Sequence, residues 1–281
     1  MMTLKLAFNR FQEMNCSDLG AALSYFAVFA LVPLLNIIFL IINAAFGADL
    51  FKSEFFNAFQ NTVGPDAANL LSDTLEKANQ FGGNIWISIA SAGVLIVTVV
   101  ILTADLQNSL DRIFGAEVKK HPFFFSLYKK IMSFGMVLIL TILLAIFLLI
   151  SSAFTFFTRT FEPYVQFSYV FVHIGNFIIL LLLIFFFSLL NFRFLPHATL
   201  RWKSIIMGSA LTAVLFLIGK LLLNLYISFA HPGLIFGAAG PIFVILIWIF
   251  YSAQILFFGA SFSYAYEKLS EEDNTTARLD E

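Results

Sequence analysis

The stretch SIIMGSALTAVLFLIGKLLLNLYISF, from Ser204 to Phe229, runs for 26 residues with a single charged side chain, Lys220. A helix rises ~1.5 Å per residue, so about 20 apolar residues cross a hydrocarbon core about 30 Å thick. Barrel strands would instead be alternating segments of about 10 residues. The stretch therefore reads as a transmembrane α-helix. Five others match it in length and character: Leu19–Phe46, Ile85–Leu106, Met132–Phe157, Tyr169–Leu190 and Pro241–Tyr266. Several are apolar on every face, which suits lipid or a bundle interior. The fold class that follows is all-α, a polytopic membrane helix bundle of about six transmembrane helices.

Composition agrees. Hydrophobic residues make up 60% of the 281 and charged residues only 12%, about half the charged share of a soluble domain. The 37 Phe carry no functional weight, because Phe and Leu interchange as lipid-facing bulk. A net charge of −1 gives no global attraction to nucleic acid, and no nucleic-acid partner is expected. The lone cysteine, Cys16, excludes an internal disulfide and reads as a small apolar filler. The N-terminus does not read as a cleaved signal peptide, since its apolar run exceeds the usual h-region.

Basic residues orient the bundle. Twelve lie on one side: Lys5, Arg10, Arg112, Lys119, Lys120, Lys129, Lys130, Arg193, Arg201, Lys203, Lys268 and Arg278. Only Lys52, Lys77 and Arg159 lie on the other. Both termini are thus expected in the cytoplasm. Residues 1–18 form a cytoplasmic amphipathic segment with Leu4, Phe8 and Phe11 near one face, 19–266 the transmembrane domain, and 267–281 a cytoplasmic tail. From Ser270 onward that tail is polar and acidic, and reads as disordered. In the first outside loop, 47–84, Phe51, Phe55 and Phe59 recur at helical spacing, as do Leu71, Leu75 and Ala78. Two short amphipathic helices separated by Gly64-Pro65 are expected there.

Lys220 is the most informative side chain. It lies near the expected bilayer midplane, where a lone ammonium costs roughly 2.5–3.5 kcal/mol. Snorkelling toward the surface or a structural hydrogen bond is the plain explanation. The functional one is a polar cavity meeting an anionic lipid or small anionic substrate. Asn224 shares its helix face four residues on, and Asn36 and Gln254 reach comparable depth on the first and sixth spans. Asn176 sits closer to the outer surface. No carboxylate occurs at this depth on any span. Asp105 closes the second span as an ordinary polar helix end, an inner gate or a partner of Arg112. Pro33 frees a backbone carbonyl and kinks the first span. Gly237, Gly240 and Pro241 build either a tight outer hairpin or an anion-facing helix start.

Catalytic motifs are missing. The four histidines, His121, His173, His197 and His231, have no ligand spacing to one another, and there is no GxSxG, P-loop, HExxH or Cys pair. No cofactor, metal or enzymatic activity is expected.

The segment AALSYFAVFALVPLL (21–35) resembles the opening span of the YihY/BrkB family of bacterial inner-membrane proteins. The similarity continues in RFLP (193–196), Trp202, Gly208, Gly219-Lys220 and Tyr226. It is clearest in FGAAGPIF (236–243) and WIFYSAQILFFGA (248–260). The resemblance implies an all-α, six-span inner-membrane protein and no particular chemistry. The family once carried a misassigned ribonuclease BN label, BrkB was linked to serum resistance, and a transport or lipid-handling role has been suspected. After Gly259-Ala260 the family usually has an acid, where this chain has Ser261, so a mechanism resting on that carboxylate does not transfer. Lys220 falls where the family often has a basic residue. Three readings stay open: a transporter or lipid-handling protein acting through Lys220, a non-catalytic envelope scaffold, and, least supported, a membrane ribonuclease. The oligomeric state is not legible.

Overall fold

The structure, a computed structural model, describes residues 2–29, 85–116, 169–198, 200–230 and 240–279. These residues form six helices and no strand: α1 (Met2–Glu13), α2 (Cys16–Phe29), α3 (Ile85–Phe114), α4 (Tyr169–Phe194), α5 (Trp202–Ala230) and α6 (Gly240–Leu279). Three carry stretches long and apolar enough to cross a membrane: Phe177–Phe194, Trp202–Leu223 and Ile242–Glu272. They match the expected fourth, fifth and sixth spans. The third, Met132–Phe157, the loop 47–84 and most of the first span lie outside the described residues.

The local breaks have identifiable causes. Asn15 adopts φ 48°, a left-handed conformation that Asn tolerates, and so separates α1 from α2. Gly115, at φ 70°, ends α3. Its N–H donates to Arg112 O at 3.2 Å and that of Ala116 to Asp111 O at 2.9 Å, the paired bonds of a Schellman cap.

The two long helices α5 and α6 run antiparallel and in close contact. A Cβ placed on Gly208 would fall 2.6 Å from Gly259 O, so the small residues let the backbones meet, as membrane helix pairs require. α1 lies along α6 with Ala7 buried and Phe11 packed on the core; the Phe11 and Phe258 rings are 5.9 Å apart, edge to face. Leu4 and Phe8 point away, each about half exposed. The docking stripe of α1 is therefore offset from the Leu4–Phe8–Phe11 face that its spacing predicts.

The core sits where the helix ends carrying the basic residues meet. Cys16, Leu110, Ile113, Phe192, Leu195, Ile205, Phe257 and Ala260 are buried there. Away from it, α4 exposes Ile174, Ile178, Leu182 and Phe186 at successive turns. A stripe of this kind is a fault in water and ordinary in lipid. α6 runs on as helix to Leu279, where the sequence reading has a disordered tail. The helix is already nucleated, and Glu, Lys, Arg, Ala and Leu extend it at little cost.

Candidate functional site

Lys220 is half-buried in α5. By helical counting it shares a face with Ala213 and Ser209, both buried. Beside it, Gly219 is seated so close to Tyr251 that any Cβ would collide with the ring. One turn along α6, Trp248 packs with Leu223 and Val244. Among the described residues its buried Nε1 has no hydrogen-bond partner, and neither has Ser209 Oγ. Among the described residues Lys220 itself has no hydrogen bond and no ion pair. A half-buried lysine therefore lies on the inward stripe of a membrane-length helix, and among the described residues no carboxylate pairs with it.

The other expected members of the site fall unevenly. Gln254 turns to the start of α2, donating from Nε2 to Ser17 O at 3.3 Å and Cys16 O at 3.5 Å. It spends its amide protons on those carbonyls, and none of its hydrogen bonds reaches Lys220. Asn224 and Asn176 lie in α5 and α4, but their side chains are outside the described residues. Asn36, Pro33 and Gly237 are outside them altogether. Gly240 and Pro241 form the first turn of α6. Asp105 is partly buried; among the described residues its Oδ2 has no hydrogen-bond partner, and it makes no ion pair with Arg112. Ser261 is fully buried and donates to Phe257 O at 2.8 Å.

A second polar group, assembled at the basic end, escaped the sequence reading. Asp111, 1% exposed, accepts from His197 N at 2.5 Å, and its other oxygen lies 2.5 Å from His197 Nδ1. A carboxylate there takes Nδ1 as donor and so sets the imidazole tautomer. Glu267 receives Arg201 Nε at 2.7 Å, Arg201 N at 3.2 Å and the Ser204 hydroxyl. Arg10 donates to Ile113 O at 2.9 Å and Arg112 O at 3.1 Å, and its guanidinium lies 4.2 Å from the Tyr264 ring centre. These contacts join α1, α3, the α4–α5 connection and α6. Their partners stand 86 and 66 positions apart in the first two cases. The available signal was that opposite charges were expected on the same side of the membrane. Among the described residues no three His, Cys, Asp or Glu gather as a metal site.

Comparison with known proteins covers nearly the whole chain. The family model described as virulence factor BrkB matches residues 7–280. A UPF0761 membrane protein of Alcanivorax borkumensis is 25% identical over 98% of this chain, which spans 62% of that protein's length. One from Psychromonas ingrahamii is 25% identical over 98% of this chain and 91% of its own. Another, from Haemophilus influenzae, is 25% identical over 97% and 99%. No solved structure matches.

Proposed function

Because the chain belongs to the BrkB virulence-factor family, whose relatives are named membrane proteins, we propose that it is a transporter or lipid-handling protein acting on an anionic substrate at Lys220. In this reading it is a multi-pass protein of the bacterial inner membrane with about six spans and cytoplasmic termini. The three membrane-length helices supply half of that count. The expected spans Leu19–Phe46, Ile85–Leu106 and Met132–Phe157 supply the rest. The cytoplasmic side would be the end where Arg10, Arg201 and Glu267 are cross-tied, since positive residues are retained inside.

One observation carries the functional reading. Lys220 lies on the inward face of α5 without a counter-ion among the described residues. Intramembrane cations that persist without a partner mark substrate pathways, because their desolvation is otherwise uncompensated. A phosphate or carboxylate passing this level would meet the Lys220 amine. The reading assigns no bond-making chemistry to the chain.

Reconstituted in vesicles, the protein should accelerate either efflux of small anions or exchange of anionic lipids between leaflets. Lys220→Gln should reduce that rate at least about tenfold, with unchanged insertion and thermal stability, as expected for losing ~1.4 kcal/mol of charge recognition. Full activity in Lys220→Gln and Lys220→Met would end this reading.

A further inference from the structure

We propose that Arg193, Trp202 and Lys203 form a surface site for the headgroup of an anionic phospholipid, separate from Lys220. The place is set by the helices. Arg193 sits in the last turn of α4 and Trp202 begins α5, so both lie at the end of a membrane-length stretch. The guanidinium lies over the Trp202 ring, 4.8 Å from its centre, and donates from Nη1 to Leu200 O at 3.1 Å. Ring and carbonyl together hold the arginine in one position while leaving its Nε and second amino group uncommitted among the described residues.

Charge at this end is only partly compensated. At this end Arg201 is neutralised by Glu267, and Arg10 lies 3.9 Å from Glu13. Arg193 and Lys203 have no acidic partner among the described residues. A guanidinium presents parallel N–H groups that fit two oxygens of one phosphate, and an ammonium adds a mobile point charge. Trp202 brings the amphipathic ring that favours the headgroup level.

The occupant is a lipid because the surface continues into an apolar strip. Ile206 lies one turn below Trp202 and Met207 one turn below Lys203; the two are 42% and 44% exposed. Phe194 is exposed beside Arg193. A phosphodiester above and acyl chains below would be matched along one helix face. A free phosphate would use only the upper half.

The test uses the full chain in detergent micelles, with bound lipid counted by native mass spectrometry. Phosphatidylglycerol is compared with phosphatidylcholine of identical chains. The wild type should retain phosphatidylglycerol preferentially. Arg193→Gln and Lys203→Gln should each lower that occupancy about fivefold, the equivalent of ~1 kcal/mol per cation near an anionic headgroup. Lys268→Gln, removing an exposed cation of α6 near the same end, should leave it unchanged. Excess inorganic phosphate should not displace the lipid. Should Arg193→Gln fail to fold, Lys203→Gln decides alone, because Lys203 makes no hydrogen bond or ion pair among the described residues. No preference for the anionic lipid, an equal loss in Lys268→Gln, or displacement by phosphate would each overturn the proposal.

Discussion

The carboxylate of Asp111 in α3 holds His197 at two points, 2.5 Å from its backbone nitrogen and 2.5 Å from Nδ1. The first bond fixes the path of the α4–α5 connection and the second fixes the ring. Losing the carboxylate strands a backbone N–H in a part-buried place, whereas losing the imidazole leaves that bond intact. Asp111→Ala should therefore destabilise by on the order of 2–4 kcal/mol, and His197→Ala by less than half as much. Thermal unfolding of the purified protein, followed by tryptophan fluorescence, gives the order; equal losses would contradict it.

Glu267 closes the other side of the same connection. It is buried, and three donors from Arg201 and Ser204 converge on it. Breaking a fully buried pair costs about 3–5 kcal/mol, but the Arg201 side chain is 45% exposed, so solvent screens part of the interaction. A loss of about 2 kcal/mol is expected for Glu267→Ala. Glu267→Gln, which can still accept from the Arg201 N–H, should lose less. The same unfolding assay in low and high salt separates the terms, since the charge component weakens with salt and the Ser204 bond does not.

Lipid explains which parts of the fold were legible. A span must be long, apolar and continuous, so Phe177–Phe194, Trp202–Leu223 and Ile242–Glu272 stand out without any knowledge of partners. Asp111–His197 and Arg201–Glu267 had no such signal. Helix periodicity links residues a few positions apart, and nothing periodic joins positions 86 or 66 apart. Gln254 shows the same blindness within a span. Its depth was readable, but its direction depended on where the start of α2 packed. Lys220 was visible because charge is rare inside a span.

The contact between α5 and α6 depends on Gly208 and Gly259. A side chain at Gly208 would run into Gly259 O and Ser263. The opposing element is backbone and cannot rotate aside, so Gly208→Leu should separate the helices and cost at least about 3 kcal/mol, or block folding. Gly93 in α3 has open space where a Cβ would go. Gly93→Ala should be neutral or stabilising by up to ~1 kcal/mol, since Ala is the better helix former. Expression and melting temperature of the two variants side by side test the contrast, and similar behaviour would refute the close approach.

Cys16 begins α2 with no exposed surface. Burial pushes its thiol up to about 11, against smaller opposing effects from the Ser261 hydroxyl and the Arg10 charge. The thiolate is the reactive form, so at pH 8 only about one thiol in a thousand is ionised. Burial then hides even that fraction from reagent. Maleimide should label the folded protein slowly at pH 7–8, the rate climbing with pH toward 11, and label it fully once detergent denatures the chain. Rapid, stoichiometric labelling of the folded protein at neutral pH would show that the junction of α1 and α2 opens. Gln254→Ala should move the chain that way, because Gln254 ties the Cys16 and Ser17 carbonyls to α6. The expected readout is a severalfold faster labelling rate in Gln254→Ala.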